Sequence, residues 1–177
     1  AINGFGRIGR AFLKIAWENP NIEIVAVNDL GSIESLAYLL RHDTVYRNWG
    51  HKVEVWGTDL VIDGKMVKFI SEKDTTKLPW KVLEIDVVVE STGLFTAFDK
   101  AKFHIDCGAK RVVISAPAKG SDGSVPGETI LLGVNEEKFG TCEITSNASC
   151  TTNAASPLIA ILHGAIGIEK AVLNTVH

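Results

Sequence analysis

Three glycines within the first nine residues constrain the fold of this chain more than any other feature of its sequence. In the stretch "NGFGRIG" they form the pattern Gly4-x-Gly6-x-x-Gly9. Glycines at this spacing allow a tight turn, a close approach of the backbone to a pyrophosphate, and close packing of a helix on a strand. The stretch therefore predicts a strand, a turn and a helix whose first N–H groups, including those of Arg7 and Ile8, point at an anion.

The rest of the chain alternates between helix and strand patterns. After the glycines, Ile8, Phe12, Ile15 and Ala16 recur at the spacing of one apolar helix face. "IEIVAVN" (22–28) is a β-branched run, typical of a strand buried on both faces. The same patterns predict helices over 32–40, 97–107 and from 151 onward, a hairpin or meander over 53–70, and strands over 85–91, 111–116, 129–134 and 143–146. Strands alternating with helices predict an α/β fold with a doubly wound, mostly parallel Rossmann-type sheet.

One acidic residue makes the glycine pattern more specific. Asp29 follows the second predicted strand and lies 20 residues after Gly9. A carboxylate at that place accepts hydrogen bonds from both ribose hydroxyls of NAD, and it would repel the additional 2′-phosphate of NADP. The alternative is a set of turn glycines followed by an acid that only caps the helix predicted over 31–41. The alternation of strands and helices favours the nucleotide site.

Charge and cysteine content exclude several classes of partner. A net charge of −3 and a pI near 6.0 give no electrostatic reason to expect nucleic acid or a membrane surface. Three cysteines, an odd number at irregular spacing, indicate reduced thiols and a cytoplasmic protein. The chain starts without methionine and stops inside the apolar run 171–176, so we expect a fragment of a longer protein.

Cys150 stands among small hydroxyl and amide residues in "SNASCTTN", directly ahead of an apolar helical run. The partial positive charge at a helix N-terminus favours the thiolate, the nucleophilic form. The alternative is a small residue beside a helix cap, with no chemistry. His104 and Cys107 have the H-x-x-C spacing of metal ligands, but two ligands without a second pair rarely form a site, so no metal is predicted.

Six stretches give the chain a family resemblance along essentially its whole length. The sequence resembles phosphorylating glyceraldehyde-3-phosphate dehydrogenase in "INGFGRIGR", "VND", "ESTG", "SAPAKGSDG", "SNASCTTN" and "TVH", in that order. The complete chains of that family are close to twice this length. The resemblance therefore implies an NAD-binding domain over 1–149 and the truncated start of an α+β catalytic domain over 150–177. It also implies a homotetramer when full length.

The resemblance assigns roles to matching positions. It implies that Cys150 is the nucleophile and His177 its base, and that Ser149 and Thr151 bind substrate beside Cys150. It implies a cofactor site for NAD made by Gly4, Gly6, Arg7, Ile8, Gly9, Asp29, Lys73, Ser91, Thr92, Gly93, Ser115 and Ala116. The sequence departs from common family members at Ala154, where many carry a second cysteine, and in "VYRNWGHKVEVW" (45–56).

The implied activity is the oxidation of glyceraldehyde 3-phosphate. The thiolate attacks the aldehyde to form a thiohemiacetal, hydride passes to NAD, and inorganic phosphate cleaves the resulting thioester to 1,3-bisphosphoglycerate. Two alternatives stay open at this point. One is the related erythrose-4-phosphate dehydrogenase, and the other is a non-catalytic nucleotide-binding module that would keep the glycines and Asp29 but would not need Cys150.

Overall fold

A computed structural model describes residues 1–119 and 122–176, and a nine-stranded sheet organises them. The helices are α1 (Arg7–Trp17), α2 (Ile33–Arg41), α3 (Phe98–Ala101), α4 (Phe103–Asp106) and α5 (Cys150–Ile166). The strands are β1 (Ile2–Asn3), β2 (Ala26–Asn28), β3 (His42–Asp43), β4 (Arg47–Asn48), β5 (Val53–Trp56), β6 (Asp59–Ile62), β7 (Lys65–Ile70), β8 (Val87–Glu90), β9 (Arg111–Ile114), β10 (Gly127–Thr129) and β11 (Ile144–Ser146). β3 and β4 form a separate two-stranded sheet.

The strand order of the large sheet is β10-β11-β9-β8-β1-β2-β7-β6-β5. All pairs from β10 to β7 are parallel, and only β6 and β5 are antiparallel. Ile2 of β1 pairs with Val27 on one side and with Val89 on the other. The chain therefore winds outward in both directions from β1, and the predicted doubly wound, mostly parallel sheet is confirmed.

Helix α1 packs on the sheet through a face that matches the predicted one only in part, because Ala16 is buried and Phe12 packs against the core as predicted, whereas Ile8 and Ile15 do not. Ile8 and Ile15 are 56% and 75% exposed, whereas Gly9, Leu13 and Ala16 are buried. Gly9 explains the difference, because an added Cβ would lie closer than 3.0 Å to the carbonyl oxygen of Gly4. The residue without a side chain faces the sheet and sets the packed face at i, i+4 and i+7. A pattern built only from apolar side chains does not register a glycine such as Gly9.

The predicted meander is confirmed as β5, β6 and β7, joined to the parallel sheet through β2. The turn between β6 and β7 is Asp63–Gly64, and both residues have positive φ, as a two-residue hairpin turn of type I′ requires. His51 connects this meander to the end of α1. Its Nδ1 lies 2.5 Å from Asp63 Oδ2 and its Nε2 lies 2.5 Å from Glu18 Oε1.

Three predicted elements differ from those observed by more than a shift of one or two residues at their ends. The strand predicted over 22–28 is limited to β2, and its first predicted residue, Ile22, instead closes a turn with its N–H on the Asn19 carbonyl. The helix predicted over 97–107 divides into α3 and α4 at Lys102. The strand predicted over 129–134 is wrong beyond Thr129, because the Asn135 side chain bonds the backbone of Leu131 and Thr129 and folds the segment into a turn.

Candidate active site

The carboxyl ends of the parallel strands form one edge of the sheet, and most residues singled out by the sequence lie there. The glycine loop follows β1, Asp29 follows β2, Ser91 follows β8 and Ser115 follows β9. The strand order reverses at β1, between β2 and β8. In open α/β sheets this switch point is where a crevice forms and ligands bind.

The glycine loop lies tightly against the end of β8 at one point and is open at another. Gly4 has a φ of 91°, and an added Cβ would lie 2.6 Å from the backbone nitrogen of Thr92. At Gly6 an added Cβ would meet no atom of the described residues within 4 Å. Gly6 is also the N-cap of α1 and supplies no side-chain cap. The first N–H groups of α1, from Arg7 and Ile8, have no acceptor within the helix and suit an anion in the open space.

Asp29 fastens the glycine loop to the segment before α2. Its Oδ2 accepts from the Phe5 N–H at 2.6 Å, and its Oδ1 accepts from the Gly31 N–H at 2.8 Å. It does not cap α2, because Ser32 occupies the N-cap position and accepts from the Ser35 N–H. Each carboxylate oxygen keeps a further lone pair, which suits the hydroxyls of a ribose.

Arg10, in the first turn of α1, holds the same loop, and it was not among the residues predicted from the sequence. Its Nη1 donates to the Phe5 carbonyl at 2.7 Å, although the residue is only 8% exposed. Burial lowers the pKa of Arg10, and the charges of Asp43 and Asp29 oppose that shift. Arg10 and Asp29 thus hold the two polar backbone groups of Phe5. A basic residue directly after the third glycine of the pattern is the sequence signal that could have identified it.

The hydroxyl groups predicted to line the cofactor cleft are bonded within the protein. Ser91 Oγ donates to the Gly4 carbonyl at 2.7 Å, and Thr92 Oγ1 donates to Glu90. Ser115 Oγ donates to the Glu90 carbonyl at 3.0 Å. These residues therefore shape the edge of the sheet by holding its backbone.

The remaining predicted cofactor residues are placed by their neighbours. Gly93 is exposed with a φ of 76° directly after Thr92. The Ala116 carbonyl accepts from Ser146 Oγ at the neighbouring strand end. Lys73 is exposed and follows β7, next to Glu72, whose backbone bonds the Asn28 side chain. All three lie at the same edge as the glycine loop.

Cys150 is the first residue of α5 and is exposed, in contrast to Cys107 and Cys142. Its Sγ lies 4.0 Å from Thr151 Oγ1. The hydroxyl of Ser149 is the N-cap of α5 and accepts from the Thr152 N–H at 3.1 Å. Ser149 therefore caps α5, its role in binding substrate stays a prediction, and the Cys150 thiol is exposed to solvent.

The turn that delivers Cys150 is held at several points. Ser146 Oγ donates to the Ala116 carbonyl at 2.6 Å and accepts from the Ala148 N–H. The Asn153 amide donates to the carbonyls of Asn147 and Ser149. Ala148 has a φ of 61°, a conformation that costs an L-residue on the order of 1 kcal/mol. This turn fixes Cys150 at the edge that also carries Ser115 and the glycine loop.

His177, the predicted base, lies outside the described residues. His163, on the last turns of α5, accepts at its Nδ1 from the Ile168 N–H at 3.2 Å and so closes the C-terminal end of the helix. It is therefore engaged at the end of α5 opposite to Cys150.

The pair with metal-ligand spacing has other partners. The imidazole nitrogens of His104 lie 2.9 Å from Trp80 Nε1 and Glu90 Oε2, and Cys107 Sγ donates to the Thr75 carbonyl. Over residues 1–119 and 122–176, no group of three or more His, Cys, Asp or Glu side chains is arranged to hold a metal ion. Within the same ranges, no helix has the length and apolar character needed to cross a membrane.

Comparison with known families decides what this arrangement belongs to. The sequence profile described as "Glyceraldehyde 3-phosphate dehydrogenase, NAD binding domain" matches residues 1–98, more than half of the chain. The chain belongs to the glyceraldehyde 3-phosphate dehydrogenase family. The resemblance found in the sequence is thereby confirmed. NAD is the cofactor of this family's domain, as the glycine pattern and Asp29 predicted.

Curated relatives match over the whole chain. Glyceraldehyde-3-phosphate dehydrogenase of Thermotoga maritima is 47% identical over 180 residues, covering 100% of this chain and 53% of the relative. Proteins of the same name from Geobacillus stearothermophilus and Chlamydia muridarum are 46% and 49% identical over 178 and 179 residues, each covering 99% of this chain and 52% of the relative. The chain spans about half the length of the curated relatives it matches.

Proposed function

We propose that this chain is the NAD-binding portion, with the nucleophile, of an enzyme that oxidises and phosphorylates glyceraldehyde 3-phosphate. The observation that carries the proposal is the position of Cys150. An exposed thiol begins α5 at the same sheet edge as the open glycine loop. A nucleotide-binding module without chemistry would not need that thiol.

The glycine loop fits the dinucleotide. Gly6 leaves open space at the start of α1, the N–H groups of Arg7 and Ile8 suit the pyrophosphate, and Asp29 offers acceptors to a ribose. When bound, NAD accepts a hydride. The chain holds the Phe5 backbone from both sides, through Asp29 and Arg10, so the loop is formed before the cofactor arrives.

Cys150 supplies the covalent chemistry of the proposed reaction. Its thiolate attacks the aldehyde carbon to give a thiohemiacetal, whose oxidation leaves a thioester. Inorganic phosphate then attacks the thioester carbonyl, the C–S bond breaks, and 1,3-bisphosphoglycerate leaves while the thiolate is regenerated. His177 is proposed as the group that takes the thiol proton and returns it to the developing oxyanion, on the basis of "TVH" in the sequence.

The experiment is a comparison of thiol labelling and turnover in the full-length protein. An alkylating agent near neutral pH should label Cys150 much faster than Cys107 or Cys142, because Cys150 is exposed. Burial raises the pKa of the Cys107 thiol, and both other thiols donate to backbone carbonyls. Labelling at each cysteine is followed by mass spectrometry.

Three variants complete the test. Cys150→Ser should lose nearly all oxidation while keeping NAD binding, and His177→Asn should lower turnover about 10²–10⁴-fold and slow the labelling of Cys150. Cys142→Ser is the matched control and should keep its turnover. Fastest labelling at Cys107 or Cys142, or substantial turnover by Cys150→Ser, would overturn the assignment of the nucleophile.

A further inference from the structure

A chain of buried hydrogen bonds runs beneath the proposed cofactor site. It begins at the Trp80 indole and ends at the backbone of Glu72, with Glu90 in the middle. Its side chains are Trp80, His104, Glu90, Asn3 and Asn28, each no more than 6% exposed. Through Asn3, Asn28 and Glu90 the chain joins β1 to both neighbouring strands, β2 and β8, at the point where the strand order reverses.

The first end fixes the protonation of His104. Trp80 Nε1 is a donor only and lies 2.9 Å from His104 Nδ1, so that nitrogen must accept. Burial lowers the pKa of His104, consistent with a neutral ring. Its remaining proton is then on Nε2, which donates to Glu90 Oε2 at 2.9 Å.

The second end fixes both amides. The Glu72 N–H donates to Asn28 Oδ1 and the Glu72 carbonyl accepts from Asn28 Nδ2, so the Asn28 amide cannot be reversed. The second Nδ2 proton of Asn28 goes to Asn3 Oδ1 at 2.8 Å. Asn3 Nδ2 therefore faces Glu90, and it donates to Oε2 at 2.7 Å.

The hydrogen bonds from both ends of the chain meet at the carboxylate of Glu90, which accepts from Asn3 and from His104. Its Oε1 also accepts from the Thr92 N–H at 2.8 Å and from the Thr92 hydroxyl at 2.5 Å. Four donors thus meet two oxygens. Because Trp80, Glu72 and the Thr92 amide cannot exchange donor for acceptor, only a side chain that accepts at both atoms fits this position. A carboxylate meets that requirement and a carboxamide does not.

We propose that Glu90 is a positioning residue for NAD. It holds Thr92, and the backbone of Thr92 is the surface against which Gly4 packs. Ser91 lies between Glu90 and Thr92 in the sequence and donates hydrogen bonds to the carbonyls of Asn3 and Gly4. A change at Glu90 therefore moves the glycine loop without touching the cofactor. The inference rests on the proposed placement of the dinucleotide at this loop.

Glu90→Gln in the full-length protein tests the inference. The variant keeps the size of the side chain but turns one acceptor into a donor, which must face Asn3 and His104 or Thr92. NAD affinity, measured by calorimetry, should fall about tenfold or more, which corresponds to a loss of about 1.4 kcal/mol in binding free energy. Leu60→Ala is the matched control, because Leu60 is buried in β6 and outside the network. It should lose stability and retain NAD affinity.

Other outcomes separate this inference from the proposed function. If Glu90→Gln binds NAD as tightly as the parent while Gly6→Ala binds it weakly, the positioning role is wrong and the cofactor site stands. If neither variant changes the affinity, the placement of the cofactor itself is wrong. Should Glu90→Gln fail to fold, Thr92→Val removes one donor to Glu90 and keeps the carboxylate. Its NAD affinity should fall severalfold, and an unchanged value would overturn the positioning role.

Discussion

Adding a methyl group should have opposite effects on stability at Gly9 and at Gly6. In Gly9→Ala, the new Cβ would lie closer than 3.0 Å to the Gly4 carbonyl oxygen and 3.1 Å from both Ile2 Cγ2 and Ser91 Oγ. The carbonyl is backbone and cannot rotate away, so α1 must move from the sheet. Overpacking of this kind costs about 1–3 kcal/mol, and the better helix propensity of Ala offsets about 1 kcal/mol of it.

Because the clash at Gly9 is with backbone, the upper part of that range, about 2–3 kcal/mol, applies. The expected net loss is therefore about 1–2 kcal/mol, or roughly 2–8 °C in Tm for a chain of this size. Gly6→Ala adds the same atom where no described atom lies within 4 Å. The backbone there, with φ −68° and ψ −159°, is open to Ala. Reduced freedom of the unfolded chain should keep or raise stability, by up to about 1 kcal/mol.

NAD affinity should follow the opposite order, with the loss in Gly6→Ala. The Gly6 methyl group occupies the space where the pyrophosphate must approach the start of α1, so NAD affinity should fall at least about tenfold. Thermal unfolding without NAD and calorimetric titration with NAD measure the two effects. An unchanged or higher Tm for Gly9→Ala would show that α1 does not approach Gly4 closely. Unchanged NAD affinity of Gly6→Ala would remove the pyrophosphate from this loop.

Two further predictions concern charged groups. The hydrogen bond to Asp63, with support from Glu18, raises the pKa of His51 above 6.5 against the effect of burial, and the same contact lowers the pKa of Asp63 below 3.8. The contribution of these contacts to the free energy of unfolding is therefore complete between pH 3.8 and pH 6.5, and it is lost as the pH rises through the raised pKa of His51. His51→Gln should lower the Tm more at about pH 6 than at about pH 9, and equal losses would contradict the ion pairs. Asp29→Asn should weaken NAD binding by about 1–3 kcal/mol, and the unmodified protein should prefer NAD to NADP in a direct binding comparison; tighter NADP binding would refute the role of the carboxylate.

The order of helices and strands could be predicted because each leaves a local periodic signal. The mostly parallel sheet followed from buried β-branched runs alternating with helical spacing. The errors arose where the structure depends on something that leaves no periodic signal in the sequence. Gly9 decides the packed face of α1 by what it lacks, and Asn135 ends a strand by side-chain bonds to backbone four to six residues away.

The candidate site could be predicted from the sequence where it depends on short motifs. The glycine loop, Asp29 and Cys150 are such cases, and they lie at strand or helix ends of one sheet edge. The Glu90 network was not, because its partners are far apart in sequence. Asn3 and Glu90 are 87 residues apart, and Asn28 bonds the backbone of Glu72 across 44 residues. No local pattern marks such a pair, and only the parallel pairing of β1, β2 and β8 brings them together.

Two helix N-termini meet at this edge of the sheet, and they are built for different tasks. The N-cap of α1 has no side-chain acceptor, so its first N–H groups remain for an anionic ligand. The N-cap of α5 has one, because the Ser149 hydroxyl already accepts from the Thr152 N–H. The cap contributes about 1 kcal/mol to the helix and uses only a lone pair of the Ser149 hydroxyl, so the O–H proton can still be donated to an oxygen of the substrate. The two ends therefore divide the proposed work: α1 binds the anionic cofactor, and α5 presents the exposed thiol of Cys150 to the substrate.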